Sequence, residues 1–453
     1  MALVNGTPGN DNLNGTAASD TLLGSFGNDT LFGGFFGNDL LDGGGGNDTA
    51  TYLGFGNNIN ASLETNKATF FGGSGTFVSI ENLIGGNNQD VFVGNEVGNR
   101  LDGSAGGDDI SGRGGDDFLI GGDGFDILRG ELGNDNLRGG NDTDLLEGGD
   151  GIDFLAGDKG NDTMIGGNGD DGFQWVDGDG SDLIGGDGGR DELLFNGSIA
   201  QGDNISLSKS GSNIILQRTN LVPVTLTTTG IESFNAINGL GGDDMLNINN
   251  IDVTSGVRFI QFTGGDGNDR LDTDNVTANI NAGGGNGNDV LLGHDGNDEL
   301  NGDAGSDLVF GRQGNDRIQG AETANLGRGE IDMLIGGLGQ DTFVLNNFYD
   351  DANTLPDGDP LNFFNGIDGT GDFARIPDFV IGQDVIQLSG ARSGYELKPI
   401  ANSNSLQGGL ATQDMGIFKS NKPGTFGPLE LIAIVQDAPS GLNISDATQF
   451  KFI

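Results

Sequence analysis

The sequence predicts an all-β solenoid of short parallel strands, a β-roll with a β-rich C-terminal cap, and three observations predict it. Glycine supplies 89 of the 453 residues. Aspartate and glutamate number 67 against 20 lysines and arginines. Both enrichments recur with a nine-residue period. By composition alone, 34% hydrophobic residues and a formal charge of -47 describe a disordered chain. Only the order of the residues overturns that reading.

The period runs without a gap from Gly85 to Gln174 with the consensus GGxGxDxUx, where U is a large apolar residue. Position six is Asp90, Asn99, Asp108, Asp117, Asp126, Asp135, Asp144, Asp153, Asp162 and Asp171. Position eight is Phe92, Leu101, Ile110, Leu119, Leu128, Leu137, Leu146, Leu155, Met164 and Phe173. A period of nine is neither helical nor a long alternating strand, so the chain reverses direction about every nine residues. Two repeats then make one coil, each repeat a tight turn followed by a three-residue strand whose middle side chain points inward. Stacking the coils at the strand spacing of about 4.8 Å aligns the position-eight residues into one core. Glycine at positions one and four is expected to supply positive φ. Position four is otherwise Asn88, Asp142 or Val97; Val resists the left-handed region, so the copy with Val97 and Asn99 is expected to be weakened.

The same stacking lines the aspartates along each edge, where unshielded like charges would repel. A cation is the natural counter-charge. With no cysteine the chain offers no thiolate, so the ion must be hard and oxygen-seeking. Paired carboxylates and turn carbonyls suit Ca²⁺, whose coordination is flexible, better than Mg²⁺, whose octahedron is strict. A merely solvated acidic face would not recur at every ninth residue beside glycine.

GGDGFDILR (121–129) and GGDGIDFLA (148–156) match every consensus position. On these residues the chain resembles the RTX family of secreted bacterial proteins. The resemblance implies a right-handed β-roll with Ca²⁺ bound in successive turns.

The arrays divide the chain. Residues 1–51 form a first array, with Asp11, Asp20, Asp29, Asp39 and Asp48 at position six and one extra residue before Asp39 marking a bulge. Residues 52–84 drop the period and read as a calcium-free strand insert, with stretches such as NINASL and TFVSIENLI. Residues 85–191 hold the second array, closing on looser matches at Asp182 and Asp191. Residues 192–262 are strand-like and β-branched; they either continue the solenoid with wider rungs or form a small packed sheet beside it. A third array, 263–341, carries Asp269, Asp289, Asp298, Asp307, Asp316, Asp332 and Asp341, with Asp244 before it. About twenty Ca²⁺ ions would bring roughly +40 against the formal -47.

Residues 342–453 leave the pattern through a long polar loop and enter IPDFVIGQDVIQLSG (376–390), which carries Asp378 and Asp384. That segment looks like the one that closes RTX rolls. The resemblance implies a solenoid cap and an uncleaved signal for type I secretion machinery. A cap is needed in any case, because a last coil would present an open edge.

The N-terminus has no basic region or apolar stretch of signal-peptide length. The apolar run Leu431–Val435 is far short of the roughly 20 residues that span a bilayer. The expected location is secreted, extracellular or at the cell surface, with no membrane insertion. The negative charge excludes nucleic acid as a partner. His294 reads as a surface histidine, and Trp175 and Tyr52 as packing at array boundaries. No carboxylate pair stands out as glycosidase machinery, no Gly-rich run has the lysine of a phosphate loop, and neither HExxH nor GxSxG occurs. The chain therefore reads as a non-enzymatic structural or surface component able to self-associate. A polysaccharide-binding or adhesion module and a divergent secreted hydrolase are the alternatives.

Overall fold

The computed structural model describes residues 2–320, 330–345, 373–388, 392, 395–399, 414–420 and 429–453. The predicted polar loop, 346–372, lies outside the described residues. The all-β prediction holds: the described residues contain no α-helix, and parallel strands dominate. Two compact units are present.

The first unit comprises 1–195, 210–217 and 222–234. Its coil is read directly from the register. Strand Phe118–Asp123 pairs in parallel with Asn136–Asn141, setting Leu119 opposite Leu137, and Asp109–Gly114 pairs with Ile127–Leu132, setting Ile110 opposite Leu128. Partners 18 residues apart mean that each coil gives one strand to each of two sheets. Between the sheets lie the position-eight side chains from Phe92 to Phe173, all buried. Each buried leucine contributes about 1.5–3 kcal/mol, which explains how a chain so poor in apolar residues folds.

Two expectations are corrected. The strands of the second array are five or six residues long, not three, because the ladder continues into the following turn, with Ser104 opposite Gly122. Positive φ falls at positions two and four rather than one and four: Gly122 has φ 118° and Gly124 φ 123°. Asp142 takes φ 79° at position four as expected, whereas Asn88 and Val97 do not enter this region.

Between the first two arrays the chain leaves the parallel pattern. Ile59–Ser62, Lys67–Phe70 and Gly73–Val78 form an antiparallel meander whose outer strands rejoin parallel neighbours. Tyr52 and Phe55 pack against Phe70 of this meander, with Phe55 and Phe70 ring centroids 5.0 Å apart. Trp175 stacks on Phe195 at 4.3 Å. Both aromatic boundary residues are thus core, as read from their places in the sequence.

The second unit comprises 196–209, 218–221 and 235–453. Here Asn204–Ser210 pairs in parallel with Met245–Asn249, which pairs with Arg270–Asp274. In the first unit Val224–Thr229 likewise pairs in parallel with Leu183–Gly188. Within each unit these strands of 192–262 pair in parallel with their neighbours. Near the C-terminus Val385–Leu388 pairs with Thr342–Val344 and Phe450–Phe452 in parallel, while Leu429–Val435, Met415–Ser420 and Tyr395–Pro399 run antiparallel to one another.

Candidate metal centre

The repeat 121–129 shows how the turn is built. Gly122 and Gly124 take left-handed φ and reverse the chain within a few residues. Asp126 follows, buried at the mouth of the next strand. The Asp108 backbone N–H donates to Asp126 Oδ1 at 2.6 Å, and the Asp126 N–H donates in turn to Asp144 Oδ1 at 2.8 Å. Each aspartate therefore spends one oxygen tying its coil to the preceding one.

The other oxygen is left over. Oδ2 of Asp126 is buried without a hydrogen-bond partner, and so is Oδ2 of Asp108, Asp117, Asp135, Asp144, Asp153, Asp162 and Asp171. It faces the position-one glycine. A Cβ built on Gly121 would overlap both Asp126 Oδ2 and the Gly139 carbonyl of the next coil on that edge. Position one must be glycine because two hard oxygens face the space where a side chain would start. A buried carboxylate oxygen without a partner is costly unless a cation meets it.

Burial drives these carboxyls upward. Asp126 and Asp135 are raised to about 6, Asp108, Asp117 and Asp162 to about 7, and Asp144 to about 8, with neighbouring aspartates adding to the rise. In the second unit Asp244, Asp289 and Asp316 reach about 7 and Asp307 about 8 for the same reason. A divalent ion supplies the charge that burial withholds. Among the described residues no three acidic or histidine side chains converge on one point. Any ion held in these turns must therefore draw on backbone carbonyls as well as carboxylates, which is the donor set of Ca²⁺.

The ladder collects the predicted residues in two columns, one along each edge. Asp90, Asp108, Asp126, Asp144, Asp162 and Asp182 form one; Asn99, Asp117, Asp135, Asp153, Asp171 and Asp191 form the other. Asp29, Asp39 and Asp48 join the first array's columns, with Asp11 and Asp20 at their start. Asp244, Asp269, Asp289, Asp298, Asp307, Asp316, Asp332, Asp341 and Asp384 do the same in the second unit. Two residues behave differently. Asn99 turns its amide nitrogen to the Glu81 carbonyl and its oxygen to the Asn95 N–H. Asp378 accepts instead from the N–H groups of Gly336 and Gly337, beside Asp341 and Asp384 of the column. His294 is half-buried rather than on the surface, its Nε2 accepting from the Asn275 N–H at 3.1 Å.

Sequence reasoning missed Asp203. It occupies a column position, with its Oδ1 3.4 Å from the Arg218 guanidinium and its Oδ2 accepting from the Ser198 N–H. Both side chains are buried, at 0% and 1% exposure. Here the chain carries its own cation.

Substitution of Gly121 tests this geometry directly. Gly121→Val places branched carbon where Asp126 Oδ2 and the Gly139 carbonyl lie, so the calcium midpoint of folding should rise severalfold. Calcium titration followed by circular dichroism measures it, and an unchanged midpoint would remove these oxygens from the site.

The geometry defines a class: parallel β-rolls whose turns present buried carboxylate and carbonyl oxygens to a hard cation. The family model for the RTX calcium-binding nonapeptide repeat (4 copies) matches residues 5–36, 35–50, 93–128, 111–146, 120–155, 138–173 and 283–318. The chain carries RTX repeats in three stretches, 5–50, 93–173 and 283–318, and such repeats bind calcium. Proteins with these repeats are generally structural or calcium-binding rather than catalytic, and are typically secreted by bacteria. No curated protein matches the chain. The residues fit the ion: Asp Oδ2 and a carbonyl of the next coil share each small space, and bound calcium would neutralise the column that otherwise repels itself.

Proposed function

We propose that the chain is a secreted, non-enzymatic structural or surface-associated component that folds into a calcium-stiffened roll outside the cell and is able to self-associate. The observation that carries this reading is the ladder of buried, position-six carboxylates that runs through both units. A protein whose acidic side chains are consumed by its own turns has few left for chemistry on a substrate. About twenty ions, one per intact turn, would offset most of the formal charge of -47.

The same chemistry supports export through type I secretion machinery. Where free Ca²⁺ is scarce, repulsion along the columns keeps the chain unfolded; where it is plentiful, binding and folding are one event. The segment 376–390 is the part of the chain assigned to the signal. Electron microscopy and light scattering with and without Ca²⁺ test the structural role. Ordered assemblies that dissolve in chelator are the expected result, and strictly monomeric particles at high concentration would count against it.

One observation favours a polysaccharide-binding role as a second reading. Phe36 and Phe71 are exposed at 50% and 73%, and Phe36 lies against Gly72. Exposed rings of this kind offer flat apolar faces to sugars. Glycan-array binding that disappears in the Phe36→Ala/Phe71→Ala variant would support it over the purely structural role.

A further inference from the structure

Both interruptions of the first unit's columns close on the same short pattern. Ser79-Ile80-Glu81-Asn82-Leu83 ends one, and Gly230-Ile231-Glu232-Ser233-Phe234 ends the other. The residue two before each glutamate takes positive φ, at 47° for Ser79 and 68° for Gly230. Leu83 and Phe234 are fully buried, so they hold the place of position eight. The glutamates hold the place of position six.

Their contacts bear this out. Within the regular runs of the arrays the backbone N–H of a column aspartate is taken by the aspartate one coil further on. The Asp48 N–H instead donates to Glu81 Oε2 at 2.8 Å, and the Asp191 N–H to Glu232 Oε2 at 3.1 Å. Asp48 and Asp191 are each 0% exposed, and Oδ2 of each is buried without a hydrogen-bond partner. A Cβ on Gly43 would overlap Asp48 Oδ2 and the Ser79 carbonyl; one on Gly186 would overlap Asp191 Oδ2 and meet the Gly230 carbonyl. This is the arrangement at Gly121, with a carbonyl from the re-entering segment replacing that of the next repeat.

We propose that Asp48 with Glu81, and Asp191 with Glu232, form two further Ca²⁺ sites at the seams where the inserts rejoin the roll. In each, Asp Oδ2, the Ser79 or Gly230 carbonyl and the glutamate carboxylate supply hard oxygens, and glutamate replaces the aspartate that the nonapeptide would provide. The extra methylene lets the carboxylate reach the same N–H from a turn whose Ile80 or Ile231 is folded into the core. At each interruption the column that ends on Asp48 or Asp191 is thereby extended by one site. The inference rests on the turns binding calcium.

The test is the number of ions bound per chain, by native mass spectrometry and equilibrium dialysis with radioactive calcium, for the full chain and its Glu81→Gln/Glu232→Gln variant. Glutamine keeps the size and the N–H acceptor but loses the charge. Two fewer ions with unchanged β-content is the expected result, and an unchanged count overturns the proposal. Should the variant fail to fold, anomalous scattering from a calcium-grown crystal of the unsubstituted chain decides. Peaks at both seams support the sites; peaks in neighbouring turns with none at the seams overturn them. Asp126→Asn is the control. If it also binds the full count, the calcium assignment of the ordinary turns fails instead.

Discussion

Removing calcium at neutral pH should abolish most of the β-structure of this protein. The columns hold carboxylates whose second oxygen is buried and unmet by any protein donor, as at Asp126, Asp144 and Asp307. Without a cation these groups must either ionise in a poor environment or take up protons. Far-ultraviolet circular dichroism in excess chelator should show a disordered chain that recovers its β-signal cooperatively when Ca²⁺ is restored, while Mg²⁺ at the same concentration does not substitute. Full β-content in chelator at pH 7.5 would sink this account of the fold.

Acid should partly replace the metal, and the direction follows from the raised carboxyls. Their folded values, about 6 to 8, lie above the roughly 3.9 of an aspartate in an unfolded chain. Protonation therefore favours the roll. That stabilisation is complete below the unfolded value and is lost as pH rises through about 6 to 8. In chelator, β-content should grow as pH is lowered from 8 toward 5; a metal-free chain that stays equally unfolded across this range would contradict the burial of the columns.

Arg218→Met should be among the most damaging substitutions in the second unit. The guanidinium faces Asp203 in a site closed to solvent on both sides. Removing one partner of a buried ion pair while leaving the other charge behind costs about 3–5 kcal/mol. Chemical denaturation at saturating calcium measures the loss. Arg218→Met/Asp203→Asn should recover much of it, because the neutral amide no longer needs a cation. A single variant as stable as the unsubstituted chain would mean that calcium, not arginine, neutralises Asp203.

These predictions differ in how far they could be read from the sequence. Aspartate at position six and leucine at position eight were legible because the repeat is local: nine residues fix a turn, a buried side chain and a carboxylate. The antiparallel meander of 59–78 was not, since alternating strands carry no sign of their direction. Asp203 was hidden because Gly197 precedes it by six residues instead of five, and its partner Arg218 comes from a separate strand. Glu81 and Glu232 carry a signal that could have been found, the shared Ile-Glu pattern before an apolar residue, but it means little until the coils are stacked.

By itself, then, the sequence determined the coil, its core and the identity of the ion, because each is a property of a repeat and its neighbours one period away. The tertiary structure decided why position one must be glycine, which oxygens remain unmet, and where arginine or glutamate takes over from the repeating pattern. Those depend on contacts between coils, with partners 18 residues apart in the regular array and 33 or 41 apart at the seams, and no local spacing encodes which atoms meet across that distance.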